Sequence, residues 1–361
     1  MKTVSYIAIC DKEDAPGVYG KITGYLKGFT GNNFVSNLVV IEPSGIGAYK
    51  KLIFSLLAAS EEIVLTRYLV YLSFVYPFIA LIYRFRGQKL VLDVPTPLIN
   101  LLKENLSVNG FTLKFLLLFI FVMVLSPLSY LFSSLVLEYS YESKFLSMFS
   151  RKQRLLVGNC VDISVQVFPE KLHVDKGILR FISVGTIAPW HGWDKMIMAL
   201  GHYHRSNPDL KIKYDIIGEG PSKQYLSELI THHELDDHVR LLGYVPFEQL
   251  SVRYQSYDLG IGSLGWERVG ISLAAPIKSR EYLAFGLTTV FATPDTDFCG
   301  ADHGVIELNH GCSVEELLSF LKGLDFSDIC SPLECHNLVK KRCSFDAGVR
   351  KILRFIDYEN A

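Results

Sequence analysis

Leu179-Arg-Phe-Ile-Ser-Val-Gly185 is a short apolar run that stops on glycine. The same design returns at Tyr214–Gly218, Val239–Gly243, Leu259–Gly262 and, without the glycine, Thr288–Ala292. Between these runs, Gly192–Arg205, Lys223–His232, Phe247–Ser256 and Ile277–Phe285 carry apolar residues at helical spacing. Short strands alternating strictly with helices predict a parallel sheet covered on both faces, because parallel neighbours need a crossover and a helix supplies it. Gly185, Gly218, Gly243 and Gly262 then mark the carboxyl ends of strands, the edge where open α/β sheets bind their ligands.

Working outward, the first half repeats the theme. Strands are expected at Val4–Cys10, Phe34–Ile41, Glu62–Leu65 and Lys89–Asp93, with helices at Gly20–Phe29, Ala48–Ala59 and Tyr68–Tyr83. The loop after the first strand holds Gly17, Gly20 and Gly24. That spacing is not GxGxxG, and it reads as a tight strand-to-helix turn. The expected fold class is α/β, with two doubly wound, Rossmann-like domains and a cleft between them. The first spans residues 1–168 and the second 169–340, while 341–361 form a C-terminal helix able to cross back to the first domain. The link is placed at Val165–Gly177, and 361 residues suit two domains of ordinary size.

Composition narrows the function. Charged residues make up 20% of the chain and hydrophobic ones 49%, which excludes wholesale disorder. A net charge of −1 argues against a nucleic-acid binder. Residues 1–168 hold 16 Lys/Arg against 11 Asp/Glu and the remainder 20 against 26, so a basic half precedes an acidic one. The seven cysteines are scattered, and the first residues read directly as a strand, so a reducing cytoplasm is expected. Cys330, Cys335, His336 and Cys343 match no zinc spacing. Asp236-Asp237 and Asp295-x-Asp297 read as solvated turns. Neither a metal nor another cofactor is expected.

From Phe115 to Leu137 the chain runs 23 residues without a charge, long enough to cross a bilayer. Ser126-Pro127, Ser129, Ser133 and Ser134 interrupt it, and Leu135–Tyr139 has the pattern of another sheet strand. A span would split a domain whose strands must pair, so a buried or membrane-lying helix followed by a strand is expected. Tyr68–Tyr83 is similarly apolar. Arg84, Arg86 and Lys89 follow it, and Lys144 to Arg154 form a second basic cluster after the long segment. Apolar faces flanked by Lys and Arg suit peripheral attachment to an anionic inner leaflet, and two buried core helices are the other reading.

Val184-Gly-Thr-Ile-Ala-Pro-Trp-His-Gly-Trp-Asp-Lys195, Ile216-Ile-Gly-Glu-Gly-Pro221, Leu242-Gly-Tyr-Val245 and Pro276-Ile-Lys-Ser-Arg-Glu-Tyr-Leu-Ala-Phe-Gly286 occur in that order. This series resembles the nucleotide-sugar-binding domain of retaining glycosyltransferases with the GT-B fold, of the family-four type used in surface polysaccharide assembly. The resemblance covers about residues 155–360, with Gly158-Asn-Cys-Val-Asp162 similar to the turn before the domain link. The first half is similar in architecture only.

The resemblance implies a cytoplasmic transferase, peripheral on the inner face of the cell membrane. It would move a sugar from a nucleotide-diphosphate donor to a lipid-linked saccharide acceptor, with retention of configuration. It implies Glu281 as the ribose carboxylate, Gly185 and Thr186 at the phosphates, Gly218 among the donor-binding residues, Tyr244 and Val245 at the base, and Gly17 facing the phosphates from the first domain, with Asp93, Glu281 and Lys278 as the catalytic candidates. The family's usual loop cations are replaced by Thr186 and His191. Arg268 and Lys278 are therefore expected to hold the diphosphate, which needs about two cations when no metal is present. His191 is either a donor ligand or a packed loop residue. The family's paired Glu is also missing, since Leu273 stands at that position and Glu267 is displaced by six residues. Where the family often has His, this chain has Asp93, either orienting an acceptor hydroxyl or stabilising oxocarbenium charge, or else capping the segment after Pro95. A non-catalytic scaffold of the same fold, or a soluble enzyme such as a sugar-nucleotide epimerase, are the alternatives.

Overall fold

The structure, a computed structural model, describes residues 2–140, 144–149, 153–164, 177–209 and 211–358. The chain divides into two units, 1–160 with 344–361, and 161–343. The link expected at 165–177 lies outside the described residues except for its last position.

In the first unit the elements run β1 (Thr3–Ile9), α1 (Pro16–Gly31), β2 (Val35–Ile41), α2 (Ile46–Ala58), β3 (Ile63–Arg67), α3 (Tyr76–Phe85), β4 (Lys89–Val94) and α4 (Leu98–Asn109). They continue with α5 (Leu113–Ile120), α6 (Ser126–Phe132), β5 (Leu135–Glu138), α7 (Lys144–Phe149) and β6 (Arg154–Leu156). The sheet order is β2-β1-β3-β4-β5-β6, with every pair parallel. Val91 of β4 lies opposite Leu65 of β3 and Leu135 of β5, and all three are fully buried. Such uninterrupted apolar strands are what a sheet covered on both faces requires.

Two expectations change in this unit. The apolar run Tyr68–Tyr83 is not one helix, because a 3-10 turn at Val70–Leu72 precedes α3, which starts at Tyr76 with Pro77 in its first turn. Proline lacks the N–H that an interior helical position must donate, so it belongs at a start. Gly17, Gly20 and Gly24 lie inside α1 rather than in a loop. A methyl group on Gly24 would stand 2.2 Å from the Phe345 ring, and one on Gly28 would meet the Phe345 backbone at 2.6 Å. These glycines let a second helix approach closely.

The second unit holds β7 (Leu179–Val184), α8 (Trp193–Ser206), β8 (Ile212–Ile217), α9 (Lys223–His232), β9 (Val239–Gly243), α10 (Phe247–Arg253), β10 (Leu259–Ile261) and α11 (Ile277–Ala284). It is completed by β11 (Thr288–Phe291), β12 (Val305–Glu307), α12 (Val314–Gly323) and α13 (Pro332–Arg342). A last helix, α14 (Phe345–Tyr358), belongs to the first unit and is the one packed on α1. The sheet order is β12-β11-β10-β7-β8-β9, all parallel. Chain direction across the sheet therefore reverses between β7 and β10. Loops leaving those two strands diverge and open a crevice at their carboxyl ends.

Asp295 and Asp297 are not in a solvated turn. Both are buried and grip the fully buried Arg280 of α11, Asp295 with two 2.6 Å bonds and Asp297 with one of 2.8 Å. Burial lowers the Arg280 pKa, but the two carboxylates outweigh it and hold the guanidinium well above its ordinary value. Arg280→Met leaves two buried carboxylates without a cation, a loss of about 3–5 kcal/mol. The expected result is a fall of roughly 10 °C in melting temperature by calorimetry, and an unchanged melt would contradict this ion-pair core.

Candidate functional site

The candidate site lies at the carboxyl ends of β7, β8 and β9 and takes in the start of α11. After β7 the chain turns at Gly185, whose φ of +149° suits glycine, and after β8 it turns at Gly218, with φ +142°. The two turns interlock. Gly185 N–H donates to Ile217 O at 2.8 Å, and a methyl on Gly218 would overlap Gly185 O at 1.8 Å. Only glycine lets these backbones approach so closely.

Beside them opens a pocket of about 410 Å³, lined by Val184, Gly185, Thr186, Ile217, Gly218, Glu219, Tyr244, Val245, Phe247 and Leu250. The sequence-derived residues Gly185, Thr186, Gly218, Tyr244 and Val245 thus come together at one place. Tyr244 is 77% exposed, so its ring is available to a flat partner.

α11 delivers the charged groups. Tyr282 ties the helix to the sheet, its hydroxyl accepting from Val184 N–H at 2.8 Å. Lys278, one turn earlier, lays its ammonium against Gly185, where a methyl would stand 1.6 Å from Nζ. Glu281 is three residues on, the spacing that puts it on the same helical face. Neither Lys278 nor Glu281 has a hydrogen-bond or ion-pair partner among the described residues. Burial pushes the Glu281 carboxyl up to about 7, although Lys278 pulls it the other way. Burial likewise lowers Lys278, opposed by Glu281. An ammonium and a carboxylate held half-buried and unpaired are poised for a ligand with an anion and hydroxyl donors.

His191 is packed rather than presented. Its Nδ1 is 2.7 Å from Ser263 Oγ, and its ring stacks on Trp193 at 4.7 Å and 12°. Burial, then Lys278, pushes its pKa down to about 3, so the ring is neutral. Arg268 departs from its expected role. Its guanidinium forms a two-point pair with Asp194 at 2.9 and 2.8 Å and also donates to Pro189 O at 2.7 Å. It lines a separate cavity of about 120 Å³ with Trp193, Asp194 and Tyr225. The displaced Glu267 is likewise engaged, accepting from Lys195 at 2.6 Å.

In the first unit, Asp93 at the end of β4 is 1% exposed. It accepts from Tyr6 at 2.5 Å and pairs with Lys21 at 3.1 Å. Burial raises its pKa, but Lys21 and Tyr6 outweigh that and keep the carboxyl low. Both oxygens are engaged inside the unit, and the next helix has Pro97 at its N-cap and no side-chain cap, so Asp93 does not cap it. Gly17 lies in the first turn of α1 with open space around it.

Sequence reasoning missed Ser279. Its hydroxyl is buried beside Gly262 with no partner among the described residues. The signal was its place between Lys278 and Arg280, one of which turns to the crevice and the other to the core.

Residues 165–299 match the family model of glycosyl transferases group 1. No curated protein sequence matches the chain. Among solved structures, sucrose-phosphate synthase from Thermosynechococcus elongatus superposes with a TM-score of 0.64 at 8% identity, covering 99% of this chain and 100% of that one. Anabaena HepE in complex with UDP gives 0.62 at 14%, covering 98% and 100%. The lipopolysaccharide outer core galactosyltransferase WaaB gives 0.62 at 11%, covering 98% and 99% of this and that chain respectively. Residues 165–299 are therefore similar to the glycosyl transferases group 1, and the chain has the GT-B fold of two Rossmann-like domains.

Proposed function

We propose that the chain transfers a sugar from a nucleoside-diphosphate donor to a saccharide acceptor, lipid-linked and part of surface polysaccharide assembly. The observation that carries the donor reading is the unpaired Lys278 ammonium against the Gly185 turn, with unpaired Glu281 on the same helical face. The base would lie in the pocket beside Tyr244 and Val245. Glu281 would accept hydrogen bonds from the two ribose hydroxyls, and Lys278 with the backbone at Gly185 and Thr186 would hold the diphosphate. The UDP complex of HepE and the galactosyltransferase activity named for WaaB support this reading.

In this reading the reaction retains configuration. An acceptor hydroxyl attacks the anomeric carbon from the face that the diphosphate leaves, and its proton passes to a donor phosphate oxygen. Charge builds on the departing diphosphate, and Lys278 stabilises it where water is excluded.

Two measurements test the assignment. By titration calorimetry, Lys278→Met should weaken UDP or GDP binding about tenfold and leave the bare nucleoside unchanged, because only the diphosphate meets the ammonium. Equal loss for both ligands would overturn the phosphate role. Glu281→Ala should weaken diphosphate and nucleoside alike, by about 1.5–3 kcal/mol for each hydroxyl bond lost.

The pH dependence follows from the Glu281 carboxyl at about 7. Only the ionised form accepts both hydroxyls, so nucleoside affinity should rise about tenfold from roughly pH 6 to 8. Glu281→Gln should flatten that slope, and a slope that persists in Glu281→Gln would sink the carboxylate's role. Donor turnover without acceptor would favour an epimerase.

A further inference from the structure

Unit 1 covers the two faces of its sheet with helical layers of opposite character. α1 and α14 pack on one face, and the described part of that layer exposes no large apolar side chain. α2, α3, α5 and α6 pack on the other and leave a broad apolar surface outside.

The segment Leu113–Phe132 shows why this surface is unusual. α5 and α6 are joined by a π turn, Phe121–Leu125, into one 20-residue helix, apolar and long enough to cross a membrane. Its exposed stripe is Leu113, Leu117, Ile120, Val124, Leu128 and Leu131. Its polar groups point inward instead. Ser126 Oγ donates to Phe121 O at 2.7 Å and accepts from Tyr68 at 2.9 Å, and Ser129 Oγ donates to Ser73 O at 2.6 Å. A helix facing water has the reverse pattern. The surface continues onto the neighbouring segment, where Phe74 and Tyr71 meet the Phe121 ring at 6.4 and 5.5 Å, and Phe78 is 67% exposed.

We propose that this layer docks flat on an anionic phospholipid surface. The charges select that occupant. No acidic residue lies in α2, α3 or 113–132, and the adjoining α4 carries one of each sign, Lys103 and Glu104, while exposed Lys50, Lys51, Arg84, Arg86 and Lys114 flank the apolar area. Helices antiparallel to the strands put Lys114 toward the carboxyl edge of the sheet and Arg84 and Arg86 toward the amino edge. Cations at both ends reach headgroups together only when the layer lies parallel to the bilayer. The sheet argues against a span, since Phe115, Leu118 and Val122 are buried in its core and β5 pairs with β4 directly after the helix.

This inference rests on unit 1 alone, so it can fail without touching the donor site, and the reverse. The test is flotation of the full chain with phosphatidylcholine vesicles, with and without phosphatidylglycerol, at low and high salt. Binding should require phosphatidylglycerol and fall with salt. Leu117→Glu and Leu128→Glu, at opposite ends of the stripe, should each weaken it about tenfold or more. Both variants should keep the wild-type melt and nucleotide affinity, because these side chains touch water in the free protein. An effect at one end only would overturn the flat orientation. Retention through carbonate would show a span, and absence of vesicle binding would overturn the proposal. Dimers that Leu117→Glu dissociates, in a chain that ignores vesicles, would assign the face to a second copy.

Discussion

A guanidinium with no access to water fixes the position of the candidate site. Arg280 could not remain charged in the interior without Asp295 and Asp297, and those carboxylates could not remain there without Arg280. The three groups clamp α11 to the loop after β11. Tyr282 clamps the same helix to β7 through Val184. With its core face held at both places, α11 can offer its other face, Lys278 and Glu281, without hydrogen-bond partners of its own. The stability of the ion-pair core thus supports the unpaired charges beside it, a common arrangement where a site must be rigid before its ligand arrives.

The same economy is visible around that crevice. Cations that could have faced a diphosphate are used for structure, Arg268 on Asp194 and Lys195 on Glu267. His191 is kept neutral by burial and by the Lys278 charge, and Ser263 fixes its ring. Among the described residues, Lys278 is consequently a cation left unpaired at the Gly185 turn. The strength of its field there comes from partial burial, which reduces competition from water.

Unit 1 is organised differently. Its buried polar groups serve its own core, with Asp93 satisfied by Tyr6 and Lys21, and with Lys21 also lying over the Tyr139 ring at 3.5 Å. Its small residues serve packing, since Gly24 and Gly28 let α14 reach α1. What it leaves exposed is apolar, the outer face of the helices that cover the opposite side of the sheet. One unit therefore holds unpaired charge and the other unpaired hydrocarbon.

Alternation of apolar runs and helical spacing determined the fold class, because a parallel sheet is the arrangement that buries both kinds of segment. Glycines at strand ends marked the carboxyl edge where a pocket opens, and Pro276–Gly286 marked the charged helix beside it. Short elements escaped that reading. β12 is three residues long and is held by its pairing with β11, a partner no local pattern reveals. Side-chain roles escaped it too. Asp93, Arg268, Asp295 and Asp297 have the composition of a site, yet each is neutralised by a residue at least 15 positions away in the chain. Whether a charged group is a tool or a strut depends on which partner lies within about 3 Å. Sequence fixes the types of residue on a strand end or a helix face through local periodicity. That distance is set only when segments far apart in the chain pack together.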